Sequence, residues 1–398
     1  MSFAIDSRGY RVEAETLATL MREGRVREWA GAKSSFHVKL YSISFALTSW
    51  LSGANILAAE PLNLSYYLLI LASTFLIARE IFGHATALAA TAVVALWPSL
   101  LLHTTQLLRD ALFIPALLLF VLALVIPLKR RLSLKQALLV ASLGVTGALF
   151  VWLCRGDGWE VVVIIAVLAA IASAVTQVKQ RQFSVGATIA IAAMLLGTVI
   201  VPKIVPAYRR SNEQLALRAT GPVPGSSSTL TRVGLLRQKF SARYPRAGSN
   251  IDAETQLQTT ADMVRYLPRA LLIGFCAPFP QTWFAPGMEV GLTGRLLAGV
   301  EMLFAYSLLI LSGVTLWKFR NRIDVWFILA VAVVGCLALG YVVVNASSLY
   351  RMRYAYFIMV VILGMKGILS VFRPNVGQDG IDGVVQNTDC PFGFQVEV

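Results

Sequence analysis

The sequence predicts an all-α, polytopic bundle of transmembrane helices, and three observations carry that prediction. Hydrophobic residues make up 57% of the 398 positions and charged residues only 14%. The apolar residues fall into near-unbroken runs of about the 20 residues that a helix needs to cross a bilayer. Between the runs, lysines and arginines gather in short loops. A large soluble core does not give this pattern, because soluble helices keep a polar face and strands are short.

In chain order, Met1–Lys39 is polar and mixed in charge, unlike a cleavable signal peptide. Residues 11–29 place Val12, Leu17, Leu20 and Met21 among charges, which predicts a short amphipathic helix on a membrane surface or against the bundle. Residues 37–59 are apolar but broken by Lys39, Gly53 and Asn55, and read as a poor span or a re-entrant segment. Spans follow at about 62–78, 86–103, 111–128, 136–154, 160–177 and 184–203, then near 296–316, 323–344 and 354–372. With the first segment the total is about nine to ten. The polar stretch 204–268 divides into flexible Thr220–Thr231 and a helical end for which Asn250 or Asp252 is the expected N-cap. Leu267–Trp283 contains three prolines and predicts a helix that dips into the membrane and returns. The domain plan is an N-terminal region 1–61, helices over 62–203, the polar loop 204–268, a re-entrant segment with C-terminal helices over 269–373, and a flexible cytoplasmic tail 374–398.

Lys and Arg in short loops favour the cytoplasm. Lys129–Lys135, Lys179–Arg181, Lys318–Arg322 and Lys366–Arg373 fall on one side by parity, which makes that side cytoplasmic. The opposite side receives the turns 103–110 and 155–160, the loop 204–268 and residues 345–353. Arg351 and Arg353 therefore lie on the side where arginine is disfavoured, as expected if they hold something anionic or snorkel to headgroups. If 37–59 spans, residues 1–36 are cytoplasmic; if not, they are extracytoplasmic.

The net charge of +14 is split among loops and forms no single face, which speaks against nucleic acid and for lipid headgroups or phosphate-bearing ligands. Cys154, Cys276, Cys336 and Cys390 have no metal spacing, and no HExxH, GxSxG or Walker pattern occurs. Only 21 residues are acidic, so carboxylates at the extracytoplasmic edge are informative: Asp6, Asp110, Asp157, Glu160, Asp252 and Asp262. A carboxylate beside a bound hydroxyl can act as general base, and nearby arginines can hold a phosphate leaving group. Of the three histidines, His37 and His103 share that side when Asp6 does, whereas His84 lies at a cytoplasmic turn.

Asp6-Ser-Arg-Gly-Tyr10, His37-Val-Lys-Leu-Tyr41, Ala78-Arg-Glu-Ile-Phe-Gly83, Trp97-Pro98-Ser99 and Leu108-Arg-Asp110 follow an order that resembles the polytopic glycosyltransferases of the GT-C fold. That group includes the family 39 protein O-mannosyltransferases and the aminoarabinose transferases of lipid A. The resemblance covers about residues 4–130. It implies an enzyme of the plasma (inner) membrane that moves a sugar from a polyprenyl-phosphate donor to an extracytoplasmic hydroxyl on a glycan, lipid or protein. Asp6 becomes the base and Asp110 the second acid, with Tyr10, His37, Lys39, His103, Arg109, Arg351 and Arg353 binding substrate. Lys39, Arg351 and Arg353 are the phosphate candidates. No cofactor is implied; the carboxylates could hold a divalent metal through oxygen ligands, but their spacing does not demand one. The group carries a first span ahead of its catalytic acid, so the resemblance also implies a spanning helix upstream of Asp6. It places 37–59 along the outer leaflet.

Two other readings compete. A polysaccharide polymerase or O-antigen-ligase type of transferase, working from polyprenyl diphosphate, would use the arginine-rich loop of Arg209, Arg210, Arg218, Arg232, Arg237, Arg243 and Arg246. A transporter of lipid-linked glycan would show paired broken helices, and only Leu267–Trp283 is clearly broken.

Overall fold

A computed structural model describes residues 5–52, 56–205, 229–243, 248–257, 259–284 and 291–372. Arg209, Arg210, Arg218, Arg246, most of Thr220–Thr231 and the tail 374–398 lie outside the described residues, as do the side chains of Asp6 and Arg243.

The first three helices pack together at one end of the molecule. α1 (Ile5–Arg22) buries Ala14, Leu17 and Ala18 and leaves Val12 exposed, so its apolar face is one step round from the one expected. It stops at Gly24, whose φ of 73° suits glycine and lets the amides of Gly24 and Arg25 bond back to Met21 and Leu20. After α2 (Val26–Gly31) comes α3 (Phe36–Ser52), which at 17 residues is not among the helices long and apolar enough to cross a membrane. The Tyr41 hydroxyl donates to Asn63 Oδ1 at 2.7 Å, at the start of the next helix, and Ser44 and Thr48 donate to Ala58 O, so the chain returns to the end it came from.

Seven helical stretches among the described residues are long and apolar enough to cross a membrane, or eight with one bent pair. α4 (Glu60–Phe82) is the first of them. The expected span 86–103 is two helices, α5 (His84–Ala95) and α6 (Pro98–Thr104), bent by 65°. Pro98 drives its predecessor Trp97 into extended backbone, where a helix cannot continue. α7 (Arg109–Lys129) is the hub, buried along almost its whole length and touching α4, α8, α9 and α10.

The stretch Leu134–Gln180 is 47 residues, about 70 Å of helix and twice what a bilayer needs. It holds two crossings, α8 (Leu134–Arg155) and α9 (Trp159–Gln180), reversed at the short 3-10 turn Gly156–Gly158. Their contacts with α10 (Val185–Ile204) fix this. Trp152 donates to Val205 O, which makes α8 parallel to α10. Gln177 meets Thr188 while Trp159 meets Thr198 O, which makes α9 antiparallel to it.

In the polar loop, α11 (Thr229–Arg243) precedes α12 (Thr260–Cys276). The N-cap of α12 is Thr259, in a reciprocal capping box with Asp262, and not Asn250 or Asp252. α12 runs inward antiparallel to α14 (Ile323–Val342), close enough that a Cβ on Gly340 would lie 2.0 Å from Ala270 O. The chain then turns at Ala277 and comes back with Trp283 against Gly299 of α13 (Gly291–Lys318). α15 (Ala346–Met352) and α16 (Tyr354–Phe372) complete the bundle.

At one end of the bundle, Arg130 forks onto Glu80, Lys129 and Arg322 pair with Asp324, and Lys366 lies over Phe82 and Phe319. The other end carries the candidate site.

Candidate functional site

The site is assembled from the ends of three helices. Arg109 and Asp110 open α7, where a first-turn carboxylate meets the positive end of the helix dipole. Arg155 closes α8 and Arg351 closes α15, each near the negative end of its own dipole. Arg155 Nη2 donates to Asp110 Oδ1, and Arg351 Nε lies 2.7 Å from Oδ2. Asp110 is buried, as is most of both guanidinium groups. Arg155, Arg351 and Arg109 all lie within electrostatic reach of the Asp110 carboxylate, with His103 beside them.

α1 and α3 cover this cluster. Arg109 lies over the Tyr10 ring, 5.9 Å from its centroid, and Tyr10 stands edge-on to His37 at 4.6 Å. His37 is 1% exposed, and neither ring nitrogen has a hydrogen-bond partner among the described residues. Burial, reinforced by Arg109 and Arg155, pushes the imidazole down to about 3, so the ring is neutral in the folded chain. Asp6 is the second residue of α1, four residues before Tyr10.

α15 is fixed from both sides. Asn345 caps it by accepting from the amides of Ser347 and Ser348, and Asn345 and its neighbours pair with Ser249–Ile251 of the polar loop. On the inner side the Tyr350 hydroxyl donates to Glu301 of α13. Glu301 also accepts from Trp97 Nε1 at 3.0 Å, from the Ser99 amide at 2.8 Å and from the Ser99 hydroxyl. His103, one turn beyond Ser99, bonds the Ser99 carbonyl through Nδ1 and lies within electrostatic reach of Arg351 and Asp110.

Of the residues expected at the site, Tyr10, His37, His103, Arg109, Asp110 and Arg351 come together. Lys39 does not: its ammonium donates to Ala30 O and lies over Trp29. Arg353 is buried apart from Asp110, donating to the Phe275 and Ala277 carbonyls and stacking on Tyr350 and Phe357. Its contacts join α15 to the returning end of α12. Elsewhere, Glu160 pairs with Arg232, and Arg269 with the Tyr266 hydroxyl holds Asp252 below its ordinary range.

Sequence reasoning missed Arg155 and Glu301. Arg155 was hidden among the acids of its own turn. Glu301 had a signal, since it is the one acidic residue between Gly291 and Lys318, and an intramembrane acid marks a polar site. Among the described residues no three His, Cys, Asp or Glu side chains gather in a way that would hold a metal ion.

No protein-family model matches this chain, and no curated protein is similar to it. One similar solved structure is the archaeal oligosaccharyltransferase AglB from Archaeoglobus fulgidus in complex with an inhibitory peptide and a dolichol-phosphate, with 14% identity and a TM-score of 0.45. The alignment covers 89% of this chain and 44% of that one, so the chain spans less than half of its length. A likeness of that size carries no functional argument.

Proposed function

We propose that the chain is a membrane glycosyltransferase that moves a sugar from a polyprenyl-phosphate donor to an acceptor hydroxyl at the end of the bundle opposite its basic loops. The observation that supports this reading best is the gathering of Arg109, Arg155 and Arg351 about the Asp110 carboxylate. Such a group attracts an anion, and guanidinium forks suit phosphate oxygens. A lipid-borne donor reaches it without a nucleotide pocket. By the charge rule this end is extracytoplasmic.

The acceptor oxygen attacks the anomeric carbon, the bond from that carbon to the phosphate oxygen breaks, and polyprenyl phosphate leaves with the electron pair. The acceptor proton passes to Asp6, one turn from Tyr10. Asp110 is already held by two arginines, so its role is to orient them and not to take the proton. The arginines neutralise the charge that grows on the leaving phosphate.

The test is transfer and donor binding by the chain in nanodiscs, with any upstream coding sequence restored. Asp6→Asn should keep donor affinity and lower turnover by about 10²–10⁴-fold, the usual span for a general base. Arg351→Ala should weaken donor binding at least about tenfold. Normal turnover by Asp6→Asn with loss in Arg351→Ala would instead favour transfer from a polyprenyl diphosphate, a reading supported by the excess of arginine at the site.

A further inference from the structure

Beside the arginines lies a second polar group that the reading above does not use. Its centre is the Tyr41 hydroxyl, fully buried, donating to Asn63 Oδ1 and lying 3.4 Å from the Gln106 carbonyl. Tyr66, three residues beyond Asn63, sets its ring edge-on to Tyr41 at 6.4 Å. The Tyr66 hydroxyl and Gln106 Oε1 are buried with no hydrogen-bond partner among the described residues. Glu60 brings a half-buried carboxylate beside Asn63. Tyr41 is one turn from His37 on α3, Gln106 is four residues before Asp110, and His37 lies within electrostatic reach of Arg109 and Arg155, so this group adjoins the arginines.

Each unsatisfied buried polar atom costs about 1–3 kcal/mol, and within a bilayer no bulk water is at hand. Here several buried polar atoms on residues close to Tyr41 in the chain or in the fold have no partner among the described residues: the Tyr66 hydroxyl, Gln106 Oε1 and both His37 ring nitrogens, with the Glu60 carboxylate beside Asn63. They offer donors and acceptors but no cation, which fits hydroxyl groups and not phosphate. We propose that His37, Glu60, Asn63, Tyr66 and Gln106 form a hydroxyl-binding subsite that takes the sugar ring of the donor while the arginines take its phosphate. This rests on the polyprenyl-phosphate reading and adds to it a place for the sugar.

The experiment compares two probes on the full chain in nanodiscs: polyprenyl phosphate, and the same lipid phosphate esterified to mannose, glucose or galactose. At least one hexose-bearing lipid should bind about tenfold more tightly than the bare phosphate. Tyr66→Phe and Gln106→Met should each bring that preference below about twofold and leave binding of the bare lipid unchanged, while Arg351→Ala weakens both. Size-exclusion profiles identify any variant that misfolds, and the other variant then decides. Equal binding of all lipids by the unaltered chain means the group holds only water and overturns the subsite while the arginine site stands. Retained preference in a folded variant overturns it too. Failure of every lipid to bind refutes the phosphate reading and the subsite together.

Discussion

Asp110→Asn is the substitution whose cost follows most directly from the geometry. Its carboxylate side chain is 5% exposed, between Arg155 at 16% and Arg351 at 12%. The amide keeps the shape but takes the carboxylate charge away from Arg155 Nη2 and Arg351 Nε. Breaking one buried pair by removing a partner costs about 3–5 kcal/mol. Arg155 retains its contact with the Phe113 ring, worth roughly 1 kcal/mol, so a loss of about 3 kcal/mol or more is expected. The assay is SDS-driven unfolding in bicelles followed by tryptophan fluorescence. If the arginines form a phosphate site, polyprenyl phosphate at about 100 times its Kd should restore roughly 2.7 kcal/mol. A loss under about 1 kcal/mol, with no restoration by the lipid phosphate, would refute the reasoning about both burial and charge.

Three further outcomes follow from the same structure. His37 is neutral when folded and titrates near 6.5 when unfolded, so below that pH only the unfolded chain gains a proton; stability should fall as pH drops from about 6.5 toward 3, by about 1.4 kcal/mol per unit. His37→Gln should flatten that part of the pH profile, and an unchanged slope counts against the buried neutral ring. Glu301→Ala removes the acceptor of three side-chain donors and one amide, and should cost about 3 kcal/mol or more in the same unfolding assay, with Glu301→Gln intermediate. Gly340→Val places a Cβ 2.0 Å from Ala270 O, so it should separate α12 from α14 and open residues 248–284 to protease; unchanged cleavage would contradict that close approach.

The spans were legible because length and apolarity alone set them: the expected 111–128 and 354–372 differ from α7 and α16 by a few residues at most. The bend in 86–103 was written in Trp97-Pro98, yet the 65° turn depends on how α5 and α6 find separate partners, which no local pattern gives. The cap of α12 was also present, as Thr259 with Asp262 three residues on, but Asp252 drew attention as the more familiar capping type. At the site, single charges were visible and their pairings were not. Arg155 reaches Asp110 across 45 residues, a contact that exists only because α7 and α8 pack along their length.

Arg351 and Arg353 show why charge placement alone misleads. The charge rule puts both, two residues apart, on the side where arginine is disfavoured, and the sequence treats them alike. In the fold α15 ends between them, and the turn into α16 sends the two side chains to different neighbours. Arg353 donates to the Phe275 and Ala277 carbonyls on either side of the C-terminus of α12 at Cys276. Arg351 meets Asp110 because Tyr350, beside it, is anchored on Glu301 and Asn345 holds the start of the helix. The charge at the site is therefore set by a seven-residue helix tied at both ends, and the ties are uncharged groups and one intramembrane carboxylate that carry no signal of function by themselves.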